Sequence, residues 1–162
     1  MTTFSETNSV CCPEFNPALW DDKLLEWKNK KFIKERVFTL FYMPVNFGSV
    51  MKRFDKVVKQ AGSKMPSDGF CLAEHTSLWN MYLYLAAEKE IPGTENTLLS
   101  GKYYFKVYEG PFSDTEKWHK DYEHVLMAKK LKKSKLFMWY TTCPKCAKKY
   151  GKNYVAIVSQ VE

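Results

Sequence analysis

Cys143 and Cys146, three positions apart in Cys143-Pro-Lys-Cys146, are the first residues whose type and spacing could do chemistry. The run brings two thiolates within one turn, which suits half of a tetrahedral zinc site. Of the two further ligands needed, Cys12 and its neighbour Cys11 would supply one or both if the amino-terminal segment lies beside the loop before the last strand, though adjacent cysteines rarely both reach one ion without strain. Lys145, Lys148 and Lys149 would also lower thiolate pKa and favour a redox pair, but the strand-then-helix setting of thioredoxin-like enzymes is missing. The third reading is reduced thiols in a cytosolic loop, with Cys71 simply buried. Apart from zinc on these cysteines, no cofactor is expected.

Rings form the second constellation. Phe, Trp and Tyr make up 16% of the 162 residues, more than one small core needs, so a surface or pocket built from rings is expected. Trp27, Tyr82, Tyr84, Tyr104, Trp118 and Trp139 come from different elements and are the set expected to line a ligand cleft. Tyr82 and Tyr84 oppose Met81, Leu83 and Leu85 on one predicted strand, separating a ring-lined face from a packed one. The chain has no Gly-x-Ser-x-Gly elbow, Walker loop or dinucleotide fingerprint, so the common hydrolase, nucleotidase and dehydrogenase mechanisms have no motif. His75, His119 and His124 are too scattered to suggest a catalytic cluster.

The elements that must position these residues follow from periodicity. Alternation over Ile33 to Tyr42 predicts a strand, with Lys34 and Arg36 on the same face as Phe38, Leu40 and Tyr42. Phe47, Val50, Met51, Phe54, Val57, Val58 and Ala61 then follow helical spacing until Gly62, a natural stop. Strands are expected near Phe70 to Ala73 and from Leu78 to Glu88. After the Pro92-Gly93 turn the order repeats: a strand over Leu98 to Tyr108, a helix opened by a Ser113-x-x-Glu116 capping box, and strands over Leu136 to Thr142 and Tyr154 to Val161. The helix carries Trp118, Tyr122, Val125 and Leu126 as its apolar stripe.

The fold expected is α+β: duplicated β-α-β-β units forming an antiparallel sheet, two main helices on one face and a ligand cleft on the other. One domain spans residues 1–162, with an extended segment over 1–17, a first half over 31–90 and a second over 97–162.

Charge and hydropathy limit the partners. The formal net charge is +7, but nine lysines lie between Lys129 and Lys152 with no acidic residue among them, so the field is regional. Without a helix-turn-helix, zinc-finger or aromatic RNA-binding signature, no specific nucleic acid is expected. No membrane partner is expected either, because no run approaches the ~18 apolar residues a spanning helix needs. The polar start, Met1 to Val10, lacks a signal core, which reads as a cytoplasmic protein. The partner expected is a hydrophobic small molecule; a homodimer is left open.

The strand Gly101-Lys-Tyr-Tyr-Phe-Lys-Val-Tyr108, running into Glu109-Gly110-Pro111-Phe112 and a helix with Trp118, resembles the glycine-aromatic motif of the GyrI-like superfamily. That superfamily includes the effector-binding domains of bacterial multidrug-responsive activators. Cys11-Cys12-Pro13-Glu-Phe15 with Trp20, Met43-Pro44-Val45-Asn46-Phe47-Gly48, Leu99-Ser100-Gly101 and the stretch from Thr142 to Tyr154 resemble a stand-alone bacterial branch labelled hydrolases. The resemblance implies an aromatic pocket for flat or lipophilic, often cationic, molecules, commonly with a buried glutamate. Some relatives only bind ligands, and others hydrolyse strained cyclopropane-containing toxins. In effector-binding relatives the acid lies on the strand after the second helix, and the matching strand here, Leu136 to Thr141, carries no carboxylate. Glu109 and Glu74 are therefore the candidate catalytic acids, with Glu26 a further one near a ring-rich strand.

Overall fold

A computed structural model describes residues 14–41, 43–45, 47–64, 70–141 and 144–162. Its strands are β1 (Lys23–Leu40), β2 (Met43–Pro44), β3 (Cys71–Ser77), β4 (Asn80–Ala86), β5 (Glu95–Glu109), β6 (Lys133–Tyr140) and β7 (Tyr154–Val161). Its helices are α1 (Phe47–Gln60), α2 (Thr115–Ala128) and α3 (Pro144–Tyr150), with short 3-10 turns at Pro17–Leu19 and Phe112–Asp114. Among the described residues no helix is long and apolar enough to cross a membrane.

Every strand pairing is antiparallel, and the order runs β1-β4-β3-β6-β7-β5 with β5 returning to β1. The sheet expected to lie open, with helices on one face and a cleft on the other, instead closes into a six-stranded barrel. Closure needs a long, coiled first strand. Alternation predicts only residues 33–42, yet β1 begins ten positions earlier, and its first part is the segment that pairs with β5. A bulge between Trp27 and Lys30, with Asn29 at φ +52, interrupts that ladder and lets β1 bend. Across from Trp27 stands Gly101, at φ +117, where a Cβ would come 3.0 Å from Gln160 Nε2. Only glycine fits that corner without strain.

The two faces of the barrel wall are apolar for different reasons. Val50, Phe54 and Val58 of α1 and Trp118, Tyr122 and Leu126 of α2 pack with Ile33, Val37, Ala73, Met81, Leu83, Met138 and Ile157 in one cluster, the outer layer. Alternate residues of the same strands, including Phe32, Leu72, Tyr84, Tyr103, Phe105, Phe137, Trp139 and Val158, form the second cluster inside. A six-stranded barrel is narrower than the eight-stranded kind, which side chains already fill. Accordingly, Trp139, Tyr84, Tyr103, Phe32, Phe105 and Phe137 are fully buried, and Tyr84 and Phe137 meet ring edge to ring face at 5.3 Å.

Local signals differ in how they fare. The α1 stripe and its Gly62 stop are as expected, with Gly62 at φ +72 and Ser63 N–H donating to the Val58 carbonyl. The capping box does not form: Ser113 lies in the preceding 3-10 turn, Asp114 is the N-cap without a side-chain bond, and Glu116 pairs with Lys120 at 2.9 Å. The 3-10 turn moves the helix start two residues past the serine. Helix α3 falls where a lysine-rich loop is expected, and Pro144 at its first position is pre-set for a helical start.

Candidate functional site at the barrel mouth

The polar residues that point into the barrel gather at one end. On β3, Glu74 shares its face with Leu72; on β4, Tyr82 and Tyr84 flank Leu83; on β1, Lys34 follows Phe32 by two; on β6, Lys135 precedes Phe137 by two. Register brings them together, because Glu74 lies opposite Tyr82 and Lys34 opposite Tyr84. Tyr84 donates its hydroxyl proton to Glu74 Oε1 at 2.8 Å, and Lys135 Nζ lies 3.6 Å from Glu74 Oε2. The Glu74 side chain keeps 17% exposure, enough for water to reach it. Burial, reinforced by the Glu74 carboxylate, pushes the Tyr84 phenol well above its ordinary value, so it stays a neutral donor.

The ring faces around this carboxylate carry lysines. Lys34 Nζ sits 4.3 Å from the Tyr82 ring centre and 5.3 Å from that of Tyr84, and Lys135 Nζ sits 5.7 Å from the centres of Tyr84 and Phe137. Lys30 Nζ lies away from this carboxylate, 5.6 Å from Trp27, 6.0 Å from Phe32 and 5.8 Å from Phe70. Neither lysine of the mouth was among the expected site residues. The signal was present in the alternation that places Lys34 on a face with aromatic residues, but a basic residue on a strand ordinarily faces water.

The opposite end is closed by the amino-terminal segment. Trp20 stacks on Phe70 at 5.5 Å and meets Trp139 edge-on at 4.8 Å, while Phe15 meets Trp139 at 5.2 Å and Tyr154 at 5.6 Å. The carboxylate of Asp21 accepts from Val107 N–H at 2.9 Å and that of Asp22 from the Tyr104 hydroxyl, which ties the segment to β5. That bond, with Lys129 nearby, holds the Asp22 carboxyl below its usual range. Trp139 and Lys135 are four residues apart on β6, about 13 Å along a strand, so the two ends are distinct.

The expected ring set therefore divides. Tyr82 and Tyr84 join Glu74 at the mouth. Trp27, half-buried, stacks on Tyr103 at 4.2 Å, and Trp139 lies deep at the closed end. Tyr104 and Trp118 belong to the outer, helix-covered layer and meet no guest that enters the barrel. Glu109 is exposed at the last position of β5, across from Tyr154, at the barrel end away from Glu74; Glu26 is exposed across from Lys102. A surface cavity of about 570 Å³ lies by the closed end, lined by Glu14, Phe15, Asn16, Tyr150, Lys152 and Tyr154. A smaller one, about 320 Å³, is lined by Lys31, Phe32, Glu90, Asn96, Thr97 and Leu98.

Cys11, Cys12 and Cys143 lie outside the described residues, and Cys146 is placed on α3 by its backbone alone. Among the described residues no three His, Cys, Asp or Glu side chains cluster as a metal site. Cys71 is half-buried, and its apolar surroundings push the thiol up to about 12, so it is not a ready nucleophile. Two of the scattered histidines do meet a common environment. His75 Nε2 lies 2.9 Å from the Tyr140 hydroxyl, and burial together with His119 lowers its pKa.

Fold and mouth together define a closed antiparallel barrel, packed with rings and flanked by helices, that presents a carboxylate–phenol pair beside lysines at one end. The chain belongs to the family described as bacterial hydrolase, whose model matches residues 2–161. Its fold is similar to that in the crystal structure of a hydrolase from Listeria innocua, with a TM-score of 0.60 and 10% identity over 88% of this chain and 92% of that one. No curated protein matches the chain.

Proposed function

We propose that this chain is a hydrolase of a small lipophilic molecule, working at the barrel mouth with Glu74 as the base that activates water. The observation that carries the reading is the Tyr84–Glu74 hydrogen bond of 2.8 Å at a carboxylate still open to water. The family description supports hydrolysis, and the GyrI-like resemblance supports a ring-lined site with a glutamate. In effector-binding relatives that acid is carried by the strand after the second helix, here β6. Glu74 comes from β3, the strand after the first helix. The halves pair alike, as β1-β4-β3 and β5-β7-β6, so β3 and β6 hold equivalent places in a duplicated β-α-β-β reading.

In this mechanism Glu74 takes a proton from water while the water oxygen attacks an electrophilic carbon of the substrate. The proton returns from Glu74 to the atom released when the substrate bond breaks. Tyr84 fixes the carboxylate through Oε1, and Tyr82, cross-strand from Glu74, borders the substrate site. General-base catalysis is worth about 10²–10⁴-fold. Glu74→Gln should therefore lower turnover of lipophilic esters, lactones or activated cyclopropanes by about that factor, while Glu109→Gln leaves it unchanged. Equal turnover in wild type and Glu74→Gln would refute the mechanism. Ligand-induced tryptophan fluorescence without any product would favour a binding protein of the GyrI-like kind.

A further inference from the structure

We infer that the molecule taken at the mouth is an anion: a lipophilic or aromatic body bearing a carboxylate or comparable acidic group, which lies between the ammonium groups of Lys34 and Lys135. The inference rests on the mouth being the binding site proposed above and names its substrate class. It runs against the cationic ligands that the resemblance implies. A ring face attracts a cation through its quadrupole only while that face is free. Here the Tyr84 face already has Lys34 at 5.3 Å and Lys135 at 5.7 Å, and Tyr82 has Lys34 at 4.3 Å. A guest cation would have to displace ammonium groups or share the site with them.

The charge balance points the same way. Lys34 is half-buried and forms no ion pair with a carboxylate among the described residues; it rests on rings instead. Its cross-strand neighbour Glu95 is exposed and forms no ion pair with it, although the Glu95 charge reaches Tyr84. Glu74, the carboxylate at the mouth, is shared between the Tyr84 hydroxyl and Lys135. A partly desolvated ammonium without a counter-ion is a ready anchor for an anion, and the rings beneath it suit a flat apolar body.

The test uses three probes of one shape: 2-naphthylacetate, its neutral amide, and a naphthylmethyl trimethylammonium salt. Each is titrated by calorimetry against the full chain at low and high salt. The carboxylate is expected to bind at least tenfold more tightly than the ammonium and to weaken as salt rises. Lys34→Gln and Lys135→Gln should each reduce carboxylate affinity about five- to tenfold and leave the amide within twofold, with folding checked by circular dichroism. The inference is overturned if the carboxylate does not bind, if the ammonium binds as tightly, or if neither lysine variant alters carboxylate affinity. Selective carboxylate binding with unchanged turnover in Glu74→Gln would sink the hydrolytic mechanism alone. Glu74-dependent turnover of neutral esters without carboxylate binding would sink the anion inference alone.

Discussion

The Tyr84 hydroxyl on β4 donates to Glu74 on the neighbouring strand β3 across 2.8 Å, and this bond is the point where the ring-filled interior meets water. Tyr84 is 2% exposed, so its phenol is held inside while its acceptor remains accessible. The pair links core packing to the proposed chemistry.

Alkaline pH should unfold the protein more readily than its composition suggests. Burial, aided by Glu74, Asp22 and Asp121 respectively, raises the phenols of Tyr84, Tyr104 and Tyr108 above their ordinary value of 10. A raised folded-state pKa contributes stability that is complete below the unfolded value and is lost as pH rises past it. Urea midpoints should therefore fall steeply above pH 10. In Glu74→Gln, phenolate absorbance should show one tyrosine titrating earlier than in wild type. A flat midpoint through that range would contradict the assignment.

Acid acts through His75. Its folded-state pKa lies below 6.5, first because of burial and then because of His119, so stability is complete above 6.5 and declines as pH falls and the unfolded chain takes up the proton. His75→Gln should remove its part of this decline, while His119, whose pKa is also lowered, first by burial and then by Lys133, supplies a part that remains. The comparison is urea unfolding of both proteins on either side of pH 6.5.

Gly101→Ala tests the barrel corner. A methyl group at φ +117, 3.0 Å from Gln160 Nε2, adds backbone strain of about 1–3 kcal/mol. The shift should appear in the urea midpoint. If the variant matched wild type, closure of β1 on β5 would not depend on that backbone.

Trp20→Ala opens the closed end. Removing a fully buried tryptophan costs ~3–5 kcal/mol, and the half-buried Trp20, packed on Phe70, Phe105 and Trp139, should cost about 2–4 kcal/mol. Trp20→Phe should recover most of it. Denaturation monitored through the remaining tryptophans reads both effects.

The local elements were largely legible from residue order. The stripe Val50, Phe54, Val58 marks α1 because i, i+4 neighbours share a helix face, and the alternation of Met81, Leu83 and Leu85 with Tyr82 and Tyr84 marks β4 because a strand turns each successive side chain over. Tyr82, Tyr84 and Glu74 could be singled out as residue types suited to a site. Which of them meet could not, since periodicity reports the face of a residue and carries no information about which strand lies beside it. Tyr104 and Trp118 looked like Tyr84 and Trp139 in composition, yet barrel closure put the first pair under the helices and the second inside. Lys34 and Lys135 became site residues only when β1, β4, β3 and β6 curled round to face one another. That closure depends on pairing between Lys23–Lys34 and Glu95–Phe105, roughly seventy positions apart, a non-local choice that no short window of residues encodes.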